Sequence, residues 1–150
     1  MKLRIALTTA VLAVCIAAAP VEAHLSKNPK AVKAMGLLDM VFNQKKVKEG
    51  FDTYVGDKYV QHNPIAADGK EAAVEVLGKA LQALPGWTYE FKHAYVDGDY
   101  AIIHSRVRMK ADDRGMAVVD IFRFEKGKIV EHWDVVQPIP EKSANNNTMF

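Results

Sequence analysis

The stretch that decides the fold is VDIFRFEKGKIVEHWDVVQPIP, residues 119–140. Large apolar residues alternate with polar ones on both sides of the turn sequence EKGK, which is the pattern of two antiparallel strands. We predict a type I turn in which Gly127 takes the left-handed position of a bulge. That turn sets three cross-strand pairs, which are Phe122 with Val130, Asp120 with His132, and Val118 with Asp134.

Two earlier segments show the same alternation and end in short turn sequences. They are WTYEFKHAYV, residues 87–96, and YAIIHSRVRM, residues 100–109. With the strands at residues 116–125 and 129–137, they predict a four-stranded antiparallel meander.

The N-terminal half carries helical periodicity instead. It predicts a first helix from Pro29 to about Gln44, and a second over residues 47–55 with Gly56 as its stop. Asp68 followed by Glu71 resembles a capping box at the start of a third helix. Three helices before a meander predict an α+β fold, in which the helices cover one face of a curved sheet.

Residues 1–23 have the composition of a secretory signal peptide, with a basic start, an apolar run and small residues before a cleavage site. We predict cleavage before His24, export to the periplasm or the medium, and one domain over residues 24–150. The single cysteine, Cys15, lies in the leader. The mature chain would therefore have no disulfide, no thiolate nucleophile and no cysteine-bound metal.

Charge is balanced along the chain, with 20 basic and 18 acidic residues and a formal net charge of +2. Because no long run of like charges occurs, nothing predicts a nucleic-acid groove or a membrane surface in the mature protein. The sequence also lacks a glycine-rich phosphate loop, a dinucleotide fingerprint and a serine nucleophile motif.

The last two predicted strands place Asp120 and His132 on one face, together with Phe122 and Asp134. On the neighbouring strand, either of two alternating sets could face the interior. We take the set of Ile102, His104, Arg106 and Arg108, which brings the His104 imidazole beside Asp120. A carboxylate flanked by imidazoles in an apolar cavity is a candidate general base, because burial raises its pKa. The alternative is a cross-strand pair on a solvated face.

The same side chains permit a second interpretation. Nitrogen and oxygen ligands for a metal ion are available from His62, His104, His132, Asp120 and Asp134. No tight ligand spacing accompanies them, so the sequence predicts no metal and no other cofactor.

The segment YVQHNP, residues 59–64, concentrates hydrogen-bonding groups in one connection. Pro64 keeps the preceding residue extended, so neighbouring side chains point to opposite sides. We predict that His62 faces the cavity, whereas Tyr59 and Asn63 brace the loop.

YVQHNP, VDIFRFEKGKIVEHWDVVQPIP and the C-terminal SANNNTMF together resemble the SnoaL-like polyketide cyclase family, within the nuclear transport factor 2-like superfamily. Within that family they are similar to a subgroup described as predicted aldol-condensation-catalysing enzymes. The resemblance covers residues 29–150.

The resemblance implies a cone-shaped α+β barrel, usually a homodimer that packs through its sheets. It also implies acid–base catalysis without metal or organic cofactor, by an aspartate at the position of Asp120. His104 is similar to the histidine on the neighbouring strand, and the polar residues of YVQHNP would line the mouth of the pocket.

Two functions follow as expectations. The first is an enzyme that acts on a small carbonyl compound, with Asp120 as the base, His132 relaying the proton or orienting Asp120, and donors from His62, Asn63 or His104. In that enzyme Tyr59, Phe122 and Asp134 would also contact the substrate. The second is a binding domain that captures a small apolar ligand and does no chemistry.

Overall fold

The N-terminal half forms three helices, as the sequence predicts, in a computed structural model that describes residues 24–150. They are α1 (Pro29–Leu38), which continues as a π-helical turn over Asp39–Asn43, α2 (Val47–Tyr54) and α3 (Lys70–Ala83). Asn28 caps α1, since its side chain accepts a hydrogen bond of 2.9 Å from the backbone N–H of Lys30. The predicted signal peptide, residues 1–23, lies outside the described residues.

Two predicted helix boundaries are wrong. Gly56 does not stop α2, because Val55 is already extended, with φ −96° and ψ 140°, and begins a strand. Asp68 does not cap α3; the cap is Gly69, with φ 97° and no side-chain hydrogen bond. Asp68 instead accepts a 2.8 Å hydrogen bond from the backbone N–H of Gln61, which ties the loop to the strand before it.

Six strands form one mixed sheet in the order β1-β3-β4-β5-β6-β2. Their bounds are β1 His24–Leu25, β2 Val55–Gln61, β3 Thr88–Asp97, β4 Tyr100–Arg108, β5 Met116–Glu125 and β6 Lys128–Pro138. The predicted antiparallel meander is confirmed as β3 to β6. The two edge strands were not predicted. β1 pairs in parallel with β3, and β2 pairs in parallel with β6.

The predicted register of the last hairpin is wrong by two residues. Asp120 lies opposite Asp134, and Phe122 lies opposite His132. The turn is a two-residue loop in which Lys126 and Gly127 both have positive φ, of 47° and 76°. A bulge between Arg123 and Phe124 then shifts the pairing.

The bulge also changes which residues of β6 face the core. Ile129 and Val130 are both buried, although they are neighbours in the chain, so the strict alternation of the two faces is interrupted at the bulge. A shift of two residues preserves the faces of all the other side chains. Asp120, Phe122, His132 and Asp134 therefore still share one face, as predicted.

The inner face of β4 is formed by Ala101, Ile103, Ser105 and Val107, which are all buried. The prediction that the set with His104 faces the interior is wrong, because those four side chains fill the space beneath the helices. Ala31 and Ala34 of α1 are fully buried, as are Ala94 and Ala101 of the sheet. These small side chains let the helix approach the strands closely.

Residues 24–150 contain no helix that combines the length and the apolarity needed to cross a membrane.

Candidate active site

A cavity of about 520 Å³ lies between the helices and the inner face of the sheet. Most of its wall is aliphatic or aromatic. The aromatic residues are Phe42, Phe51, Tyr59, Trp87, Tyr89 and Phe122. Five polar side chains gather at one end, which we call the polar end, and they are Gln61, Asn63, Asp120, His132 and Asp134. A cavity of this size, with an apolar body and a few convergent polar groups, is typical of a small-molecule site.

Asp120 lies at the centre of the polar end. It is 2% exposed, and its Oδ1 lies 3.0 Å from Nε2 of His132. Its Oδ2 is buried and has no hydrogen-bond partner within residues 24–150. Burial raises the pKa of Asp120, the bond to His132 opposes that rise, and the nearby charge of Asp134 adds to it.

Gln61 fixes the protonation pattern of His132. The backbone N–H of Asn63 donates to Oε1 of Gln61 at 2.9 Å, so this atom is the oxygen of the amide. The same oxygen lies 3.0 Å from Nδ1 of His132, which must therefore carry a hydrogen. A hydrogen bond between Nε2 of His132 and Oδ1 of Asp120 then requires one further proton. Either His132 or Asp120 can hold that proton.

Asn63 positions the second carboxylate. Its Nδ2 lies 2.9 Å and 2.7 Å from the two oxygens of Asp134. Its Oδ1 accepts from the backbone N–H of Ile65 at 3.0 Å, which fixes the orientation of the amide. Asn63 therefore faces the cavity, and not only the loop as the sequence analysis expected.

His62 lies on the opposite side of the sheet, so its predicted place in the cavity is wrong. Its Nε2 lies 2.8 Å from Oε1 of Glu131, and its ring stacks on Trp133 at 4.5 Å. The hydrogen bond from His62, followed by that from Arg123, lowers the pKa of Glu131. Gln61 and Asn63 point inward because alternate residues of an extended segment share a side.

His104 does not contact Asp120 either. It pairs with Val119 on the outer face, where its ring stacks on His93 at 5.7 Å and on Phe150 at 5.5 Å. Burial, and then the proximity of His93, lowers its pKa. The proposed role of His104 beside the base is therefore inconsistent with its position.

Tyr59 lines the cavity and is 6% exposed, rather than only bracing the loop. Its hydroxyl accepts a 3.2 Å hydrogen bond from Nε2 of Gln61. Burial and the charge of Asp120 raise the pKa of Tyr59, so it remains a neutral donor. Phe122 stacks on the His132 ring at 4.8 Å and closes the wall beside the pair.

Gln61 was not among the predicted site residues, although a signal for it was present. Tyr59, Gln61 and Asn63 occur at a period of two, which places them on one side of an extended segment. Asp120, His132 and Asp134 are also the group of described residues able to hold a metal ion, since each offers a ligand atom within 4.8 Å of the others.

Replacing Gln61 with Leu should remove the preference for a hydrogen on Nδ1 of His132, because the acceptor for that hydrogen is lost. The measurement is ¹⁵N NMR of the imidazole nitrogens. Gln61→Glu keeps an oxygen acceptor and serves as the control, so it should retain the wild-type pattern. An unprotonated Nδ1 in the wild type would contradict the assignment.

The buried carboxyl of Asp120 should make stability depend on pH. Its pKa in the folded state lies above the unfolded value of about 3.9. Its contribution to stability is therefore present below that pH and is lost as the pH rises through the folded pKa. In metal-free buffer, Asp120→Asn should gain stability relative to the wild type as the pH rises above about 4, measured by urea unfolding. A difference that stays constant with pH would contradict this.

Helices packed on one face of a curved mixed sheet, with a cavity between the layers, define an α+β cone-like fold of the nuclear transport factor 2 type. The model of the SnoaL-like domain family matches residues 36–132. The chain belongs to the SnoaL-like family. No curated protein matches it.

Solved structures support the same fold. A candidate polyketide cyclase from Bacillus cereus is 18% identical with a TM-score of 0.61, over 72% of this chain and 74% of that one. A candidate SnoaL-like polyketide cyclase from Jannaschia is 16% identical with a TM-score of 0.63, over 79% and 88%. A candidate isomerase of the SnoaL-like family from Agrobacterium tumefaciens is 13% identical with a TM-score of 0.62, over 73% and 97%. Family membership supports an enzyme-like role toward a small molecule.

Proposed function

We propose that the protein is an exported enzyme that carries out cofactor-independent acid–base chemistry on a small carbonyl compound. The observation that carries this proposal is the pairing of a buried Asp120 with His132 at the end of an apolar cavity. A carboxyl group with a raised pKa and one free oxygen is suited to exchange a proton with a bound ligand near neutral pH.

The proposed first step is removal of a proton from the carbon next to the carbonyl. The C–H bond breaks, its electron pair forms an enolate, and the proton goes to Oδ2 of Asp120. His132 holds Asp120 in place through Oδ1 and supplies or receives the proton they share. Return of the proton to another atom of the ligand would complete an isomerisation, whereas attack of the enolate on a second carbonyl would form an aldol bond.

The enolate oxygen needs a donor that the pair does not supply. The Tyr59 hydroxyl accepts from Gln61, so its own hydrogen is available to the ligand. Donation to a developing oxyanion lowers the barrier when the donor is already in position. Tyr59 therefore takes the role for which the sequence suggested His62, Asn63 or His104.

Conversion separates this proposal from a binding domain that uses the same cavity. The purified protein is incubated with a metabolite extract, and mass spectrometry identifies what is retained and what is changed. Loss of a carbonyl compound with appearance of an isomer or a condensation product supports the enzyme. Retention of an apolar compound without any conversion would favour the binding domain instead.

Export remains part of the proposal, since it depends on residues 1–23. Expression of the whole chain in a Gram-negative host should give a periplasmic protein that begins at His24. Intact mass and N-terminal sequencing check this, and a cytoplasmic protein that keeps residue 2 would contradict it. A homodimer through the outer face, where Val135 is exposed, is proposed on family grounds and is tested by light scattering.

A further inference from the structure

The polar end of the cavity contains two carboxyl groups, and within residues 24–150 His132 is the one lining side chain there that can carry positive charge. Asp120 and Asp134 lie directly opposite each other on β5 and β6. Among the described residues that line the cavity, none is a lysine or an arginine. Asp120 is buried and Asp134 is half-buried, so the ionised form of both favours a proton or a bound cation between them, because buried charge is costly unless it is paired.

The arrangement of the ligand atoms suits a cation. Asp120, His132 and Asp134 each offer one atom, and these atoms lie within 4.8 Å of one another. Oδ2 of Asp120 is buried and has no hydrogen-bond partner among the described residues. A carboxylate oxygen in such a position takes no part in an internal hydrogen-bond network, so it is available to bind a ligand.

The residues behind the ligands hold them in the form that a metal requires. Because Gln61 accepts the hydrogen on Nδ1, a neutral His132 directs the lone pair of Nε2 toward Asp120. Asn63 orients the carboxylate of Asp134 through its amide. Metal-binding histidines and carboxylates in proteins are commonly oriented by such outer partners.

We propose that Asp120, His132 and Asp134 form a binding site for one divalent metal ion of the zinc class. Two carboxylates and a neutral imidazole balance a charge of +2. An imidazole nitrogen favours Zn²⁺ and its neighbours over Mg²⁺ and Ca²⁺, which prefer oxygen ligands. Three protein ligands leave room for water or for an oxygen of the cavity ligand.

The ion would regulate the reaction proposed above, and this consequence rests on that function. A metal bound to Asp120 occupies the carboxylate that would receive the proton. The loaded protein should therefore be inactive, and removal of the metal should restore turnover.

Calorimetric titration of the EDTA-treated full chain with Zn²⁺ tests the site without any substrate. One ion should bind per chain, and Asp134→Asn or His132→Asn should weaken binding by about 100-fold or more, since loss of an outer partner alone costs about 10–100-fold. His62→Asn is the matched control, because His62 also has a carboxylate partner but lies outside the cavity. Equal affinity in wild type and Asp134→Asn, or loss in His62→Asn alone, would overturn the proposal.

A measurement on the wild type covers the case in which a variant fails to fold. On addition of Zn²⁺, the ¹⁵N signal of Nε2 of His132 should shift while Nδ1 stays protonated, and an unchanged Nε2 would overturn the proposed site.

Turnover separates the two proposals. Activity in EDTA that Zn²⁺ abolishes supports both. Stoichiometric Zn²⁺ with no activity in either state supports the site and removes the proposed function, whereas Zn²⁺ binding that leaves turnover unchanged overturns Asp120 as a ligand.

Discussion

Replacing Asp120 with Asn should reduce turnover by about 10²–10⁴-fold, the usual contribution of a general acid–base group. Asparagine has nearly the same shape, and its amide N–H can donate to Nε2 of His132, but it does not accept a proton at neutral pH. Binding of the compound in the cavity should change only a few-fold, since most of the wall is apolar and untouched. Steady-state kinetics and equilibrium binding of the compound identified by conversion measure the two effects.

His104→Ala is the control for this experiment. His104 is the histidine that the sequence analysis placed beside Asp120, yet it lies on the outer face opposite Val119. Its removal should leave turnover within about two-fold of the wild type, because surface changes away from a site have small effects. Unchanged turnover in Asp120→Asn would exclude Asp120 as the base, and a large loss in His104→Ala would contradict the observed face of β4.

Alternation along the strands was enough to predict the meander, and helical periodicity was enough to predict three helices before it. The edge strands were not predictable in this way. β1 has two residues, too few for a pattern, and β2 carries the polar run VGDKYVQ. Their pairing depends on tertiary contacts with β3 and β6 rather than on local preference.

The hairpin register was mispredicted because Lys126 adopts a positive φ, which a non-glycine residue rarely does. The sequence had predicted a type I turn followed by a bulge, in which Gly127 alone is left-handed. The error did not affect the predicted site face, because the shift was an even number of residues. Asp120, His132 and Asp134 were thus grouped correctly from a wrong register.

The choice between the two faces of β4 failed for a different reason. Both sets contain apolar and polar residues, and the small Ala101 and the polar Ser105 weaken the hydrophobic signal of the inner set. The helices decide the matter, since α1 packs on the side with Ala101 and Ile103. The prediction that His62 rather than Asn63 faces the cavity was wrong for a similar reason. The partner of His62 on the outer face is Glu131, and this contact depends on the pairing of β2 with β6, which the sequence did not predict.

Gly115→Ala should destabilise the protein by roughly 2–4 kcal/mol, combining a left-handed backbone conformation with a steric clash. Gly115 has a φ of 86°, and a Cβ at this position would lie 2.4 Å from the carbonyl oxygen of Val107. That atom belongs to the backbone of β4, so relief requires movement of the strand rather than rotation of a side chain. The free energy of unfolding in urea measures the loss.

Gly69→Ala separates the two causes, because Gly69 has a φ of 97° but no atom within 4 Å of the added Cβ. Only the conformational cost should remain there, about 1–3 kcal/mol. Equal losses in the two variants would show that the close approach to Val107 is unimportant. The clash at Gly115 should also distort the cavity wall. Val107 lies opposite Met116, the residue after Gly115, and both residues line the cavity. Gly115→Ala should therefore weaken ligand retention in addition to stability, whereas Gly69→Ala should leave retention unchanged.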